Sequence, residues 1–174
     1  MKIIGTLRAL DEAHGAVRVE DVYATDIDDL WEACTEPARL SRWIADVTGN
    51  LQVGGTFAAR FTSGWEGTGR VDVCEPPRRL LVTTQEEGES PEQVIEVTLT
   101  AEGERTRLAI EERGLPIDQV AAYGAGWQIH ADDLTTYLAE GQRGDSKERW
   151  DALIGAYRRL DVGRPRPTRP ATGS

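Results

Sequence analysis

Apolar and polar positions alternate with a period of two at both ends of "IIGTLRAL" and "AVRVEDVYAT", and the polar turn "DEAHG" between them predicts a hairpin. Val17 and Val19 alternate with Arg18 and Glu20, and His14 falls in the turn. The period then changes. Ile27, Leu30, Trp31 and Cys34 fall at i, i+3, i+4 and i+7, one helical face, with Thr25 or Asp26 placed to cap it and Asp28 and Asp29 at the positive end of its dipole. Pro37 suits the first turn of a second short helix whose buried side is Leu40, Trp43 and Ile44.

A run of strands follows. "DVTGNLQV" ends at the Gly54-Gly55 turn. "TFAARF" sets Phe57, Ala59 and Phe61 on one face, and "WEGTGRVDVCE" sets Val71 and Val73 opposite Arg70 and Asp72. Pro76 and Pro77 stop that strand, and "RLLVTTQ" resumes the pattern with Val82. "QVIEVTLTA" and "TRLAIEERG" form a further hairpin, with Ile95, Val97 and Leu99 facing Leu108 and Ile110. About seven strands joined by short turns predict an antiparallel meander.

After "GLP" the period returns to 3.6. With Asp118 as its cap, Val120, Tyr123, Gly124, Trp127, Ala131, Leu134 and Leu138 trace one stripe along a helix about 35 Å long. Gly124 and Gly126 each cost up to ~1 kcal/mol inside a helix. They mark a close backbone approach, room for a ligand, or a kink. A last amphipathic helix carries Trp150, Leu153, Ile154, Tyr157 and Leu160 on one face. That face packs on its own domain, forms a homodimer through Trp150, Leu153, Ile154 and Tyr157, or acts as a lid. The expected organisation is a domain over 1–141, the added helix over 142–162, and a Pro-rich disordered tail over 163–174.

The order of elements predicts an α+β fold in which a curved antiparallel sheet wraps a long helix and two short helices close one end. Inward parity turns Phe57, Phe61, Val71, Val73 and Val82 toward the space between them. Ile95, Val97, Leu108 and Ile110 join them from the later strands. Trp43, Trp65, Tyr123, Trp127 and Leu134 complete the expected ligand-contacting set together with His130. Aromatic rings with a few polar groups suit a small hydrophobic or amphipathic ligand.

The net charge of −10 argues against nucleic acid and anionic membrane as partners, and the tail's three arginines make the remaining chain more acidic still. "MKIIGTLRAL" holds no apolar run long enough for a signal peptide or a spanning helix, which places the protein in the cytoplasm. Cys34 and Cys74 have no disulfide or zinc spacing and read as buried thiols. No metal or organic cofactor is expected. Two groups carry candidate acid–base chemistry. His130 lies near the inward stripe with Asp133 at i+3, as a general base or as a helix histidine satisfied at the rim. Glu112 shares parity with Leu108 and Ile110, as a desolvated carboxyl or as the ion-pair partner of Arg113 or Arg60. Neither has a nucleophile signature beside it, so no catalytic residue is assigned.

Trp31, Pro37, Trp43, Gly54-Gly55, Gly69, Pro76-Pro77 and the Gly126-Trp127…His130 pattern resemble, in order and spacing over residues 16 to 140, the START-related helix-grip superfamily of START and Bet v 1-like proteins. More narrowly they resemble bacterial proteins similar to the C-terminal domain of the activator of the Hsp90 ATPase. The resemblance implies the helix-grip fold. It implies one of three roles: a hydrophobic-ligand binder, a co-chaperone-like protein of the stress response with a chaperone partner, or a polyketide cyclase or aromatase. Fold alone does not choose among them; the aromatic inner face favours the binder.

Overall fold

The two short helices carry the chain from one side of the sheet to the other, and that single crossover defines the architecture. The computed structural model describes residues 2–88, 91–142 and 147–163. Strands β1 (Gly5–Ala9) and β2 (His14–Tyr23) form the first hairpin. Helices α1 (Ile27–Thr35) and α2 (Pro37–Trp43) lead to β3 (Ala45–Gly49) at the far edge. From there β4 (Thr56–Phe61), β5 (Glu66–Glu75), β6 (Arg79–Glu86), β7 (Gln93–Glu102) and β8 (Arg105–Pro116) meander back until β8 pairs with β2. Beyond lie α3 (Val120–Glu140), α4 (Lys147–Arg158) and the two-residue β9 (Val162–Gly163). The curved sheet runs β3-β4-β5-β6-β7-β8-β2-β1-β9. The predicted fold class is therefore the observed one, with nine described strands in place of about seven. β9 pairs parallel with the free edge of β1, and two residues are too few to leave a periodic trace in the sequence.

Local chemistry explains the helices. Asp26 caps α1 by accepting from the Asp29 backbone N–H at 2.9 Å. The Thr25 hydroxyl and the Arg39 guanidinium both donate to the Asp29 carboxylate, at 2.6 and 2.8 Å, and Pro37 opens α2. Trp43 is buried and its indole N–H donates to the Ala33 carbonyl at 2.9 Å, tying α2 to α1. Asp118 does not cap α3. It lies inside a 3-10 turn, Ile117–Gln119, and Gln119 precedes the helix without a side-chain cap. α3 continues through Gly124 and Gly126 and ends at Gly141, in the left-handed conformation with φ 76°.

α4 packs back on its own chain. The fully buried Tyr157 ring fills a slot between Gly5 of β1 and Gly124 of α3. Its hydroxyl donates to Gln128 Oε1 at 2.7 Å. Gln128 also accepts from the Ile4 N–H and donates to the Lys2 carbonyl, so one buried amide joins α4, α3 and the N-terminal segment. Arg149 donates to Asp132 and to the fully buried Asp133 at 3.2 and 3.0 Å. Leu153 and Ile154 are buried with Tyr157, and Trp150 remains 38% exposed. Three of the four side chains suggested for a dimer face are thus occupied within the chain.

Candidate ligand-binding site

Two cavities lie between helices and sheet. The larger, about 830 Å³, is bounded by the β4–β5 connection, the inner face of β6 to β8, α3 and the start of α4. α3 turns one line of positions toward it, Ala122, Gly126 and His130, spaced i, i+4, i+8, with Tyr123 and Trp127 beside that line. Across from them stand Phe61 and Trp65, whose rings meet edge to face at 5.2 Å between centroids. Phe61 is also an edge-to-face neighbour of Trp127 at 6.2 Å, and His130 lies 5.8 Å from each of those two rings. The smaller cavity, about 150 Å³, sits deeper, between α1, α2 and the inner faces of β3 to β8. Trp43, Phe57, Val71 and Val82 line it, as do Val97 and Ile110. Phe61, Ile95 and Trp127 border both.

Glu112 is the polar centre of the larger pocket. Register pairs it with Val17 of β2 and Ile95 of β7, so its side chain faces inward and is only 3% exposed. The Trp127 indole N–H donates to Glu112 Oε2 at 2.6 Å. Burial pushes the carboxyl up to about 7 against the partial opposition of that hydrogen bond. The ion-pair alternative is not what forms. Arg113 faces the other side of β8 and pairs with Glu96 and Glu111, and Arg60 pairs with Glu66. His130 is buried against Phe61 and Trp127 in the same pocket, and Asp133 Oδ1 accepts from Arg149.

The sequence-derived set divides accordingly. Phe61, Trp65, Ile95, Tyr123, Trp127 and His130 reach the larger pocket. Val73, Leu108 and Leu134 line neither cavity. Leu108 and Leu134 are core packing. Val73 is turned outward by a bulge: the register shifts between Val71 and Val73, so Val73 pairs with Leu81 and Cys74 with the inward Leu80. Cys74, not Val73, therefore lines the smaller cavity, opposite Cys34, whose thiol burial pushes up to about 12. Glu86, Trp150 and Asp151 border the larger pocket without having been expected there, because their place depends on how strand ends and α4 dock. The i, i+4, i+8 line of small and polar residues on α3 was the readable signal for that wall.

Among the described residues no three His, Cys, Asp or Glu side chains gather as a metal site. No described helix is long and apolar enough to cross a membrane.

Residues 24–139 match the model of a family described as Activator of Hsp90 ATPase homolog 1-like protein. Among curated proteins none matches the sequence. Among solved structures, CalU16 from Micromonospora echinospora is 27% identical, with a TM-score of 0.74 over 90% of this chain and 96% of its own. DynU16, from the dynemicin biosynthetic locus, is 32% identical with a TM-score of 0.68; the match covers 74% of this chain but 49% of DynU16, so the similarity spans about half of that protein. MLL2253 from Mesorhizobium loti is 27% identical with a TM-score of 0.64, over 71% of this chain and 96% of its own.

Proposed function

The chain belongs to the family of Activator of Hsp90 ATPase homolog 1-like proteins, and on that footing we propose that it binds a small amphipathic molecule between α3 and the sheet. The observation that carries this reading is the buried Glu112 carboxyl facing an aromatic pocket of about 830 Å³. The volume falls in the range of small-molecule sites, roughly 300–1,000 Å³, where aromatic walls supply area and a few fixed polar groups supply orientation. The smaller apolar cavity behind Phe61 and Trp127 gives a hydrophobic end to the same space. The likeness to DynU16, a protein of a biosynthetic locus, agrees with a small-molecule ligand. The co-chaperone alternative called on the acidic body and on the amphipathic C-terminal helix, and most of that helix's apolar face is buried within the chain. The pocket is therefore the better-supported site.

Gly126 supplies the test. It borders the pocket, and a Cβ added there meets nothing within 4 Å. Native mass spectrometry with N-phenyl-1-naphthylamine as probe is expected to find one equivalent bound to the native chain and none to Gly126→Leu, with the variant melting no lower than the native protein. Equal binding to both, or no binding of this probe or of any charged or neutral naphthyl amphiphile to the native chain, removes this pocket from the function.

A further inference from the structure

The larger pocket carries charge of one sign. Its lining includes the carboxyl groups of Glu112 at the back, Glu86 at the end of β6 and Asp151 on α4. Among the described residues no Lys or Arg lines it, and His130 is its one basic side chain. Several acids on the outer face of the sheet are, by contrast, paired with arginine. Glu96 has Arg79 and Arg113, Asp72 has Arg70, and Glu20 has Arg18 and Arg107. The pocket has no such arginine among the described residues that line it, and it brings Phe61, Trp65, Tyr123, Trp127 and Trp150 to its walls.

Resting on the binding role proposed above, we infer that the ligand of this pocket is a cationic amphiphile, an aromatic or alkyl body bearing an ammonium group that docks beside Glu112. An ammonium ion is attracted both by a carboxylate and by the negative faces of aromatic rings, and the second attraction grows when water is excluded. Glu112 is held for this role by the Trp127 indole, which fixes one oxygen and leaves the carboxyl facing the pocket. Burial alone disfavours the ionised carboxyl, and a cation beside it reverses that preference, so ligand and Glu112 neutralise each other. A fatty acid or other anionic amphiphile is disfavoured for the same reason, because among the described residues its carboxylate has acids and no Lys or Arg to meet. Charged rim groups act on the approach. Glu86 and Asp151 lie near the mouth and draw a cation inward.

A matched ligand set tests this: 2-(1-naphthyl)ethylamine, 2-(1-naphthyl)ethanol and 1-naphthylacetate, titrated by tryptophan fluorescence and calorimetry in 0.3 M salt, which screens the chain's overall charge. The ammonium member is expected to bind at least tenfold tighter than the alcohol, and the acetate more weakly than both. In Glu112→Gln the ratio of ammonium to alcohol affinity should fall at least threefold, and that variant's melting temperature, read alongside, shows that it is folded. Alcohol or acetate binding as tightly as the ammonium member overturns the inference, as does a ratio unchanged in Glu112→Gln. Those results leave the binding role standing; no binding of any of the three, together with no uptake of N-phenyl-1-naphthylamine, overturns both.

Discussion

Two glycines of α3, two residues apart, should answer alanine substitution with opposite signs. In isolation both changes favour the helix by about 1 kcal/mol. At Gly126 nothing lies within 4 Å of the added methyl, so Gly126→Ala should keep that gain. At Gly124 the methyl would stand 2.5 Å from Tyr157 Cδ1, 2.7 Å from Cε1 and 3.2 Å from Leu7 Cδ2. The ring cannot retreat. It is fully buried, its hydroxyl is tied to Gln128 at 2.7 Å, and Gly5 presses it from the other side, where a Cβ would lie 2.7 Å from the same Cε1. Overpacking costs ~1–3 kcal/mol, and two ring atoms under 3 Å belong at the upper end. The net for Gly124→Ala is then a loss of about 1–2 kcal/mol, which separates the two variants by about 2–3 kcal/mol. At roughly 2–4 °C per kcal/mol for a chain of this size, their melting temperatures should differ by about 5–10 °C in circular dichroism melts. In a Tyr157→Ala background the ring is gone, and Gly124→Ala should turn neutral or stabilising. Equal shifts from both alanines, or a penalty at Gly124 that survives in the Tyr157→Ala background, would refute the wedge.

Glu112 and Arg149 yield further predictions. The Glu112 carboxyl is raised from 4.5 to about 7 in the native state, so below pH 4.5 neither state pays for its ionisation, and between pH 4.5 and 7 only the unfolded state ionises and the native state loses ground by about 3 kcal/mol. Glu112→Gln, which keeps an acceptor for the Trp127 indole, should therefore match the native chain at pH 4 and exceed its stability by up to about 3 kcal/mol at pH 8 in urea unfolding; an offset independent of pH contradicts the burial argument. Arg149→Met withdraws a guanidinium from the fully buried Asp133 and should cost about 3 kcal/mol, while Arg149→Met combined with Asp133→Asn should cost less than the sum of the singles. Additive losses would mean that the pair does not interact.

The elements were legible where one period ran long enough to define a face. The hairpin, the tandem helices, the meander and α3 all have such runs. The β5 bulge was not, because "VDV" alternates perfectly and only the pairing with β6 reveals the skipped residue. Asp72 is held there by the Thr83 hydroxyl and by Arg70, polar partners that read in sequence as an ordinary solvated face. Parity did place Glu112 inward. That no arginine among the described residues pairs with it was hidden because Arg113 and Glu112, adjacent in sequence, sit on opposite faces, and Glu96 reaches Arg113 only through the β7–β8 register. The contribution of Trp150 and Asp151 was equally out of reach, since α4 docks through Tyr157 against Gly5 and Gly124 and through Arg149 against Asp132 and Asp133, tertiary contacts that no local period encodes.

α3 joins these observations into one mechanism of construction. Its two glycines face different ways: Gly124 admits the Tyr157 ring and so fixes α4, whereas Gly126 withholds a side chain and so opens the pocket. α4, once fixed, sets Trp150 and Asp151 at the border of that same pocket. The helix that carries Trp127, the hydrogen-bond donor to Glu112, therefore also decides where the opposite rim lies. Bulky inner-face residues such as Trp43 and Phe57 nearly close the narrow end, leaving about 150 Å³ against about 830 Å³ beside Ala122 and Gly126. The size of the site is set by what α3 omits, and its polarity by the acids that the strand ends, β8 and α4 bring to a wall without Lys or Arg among the described residues.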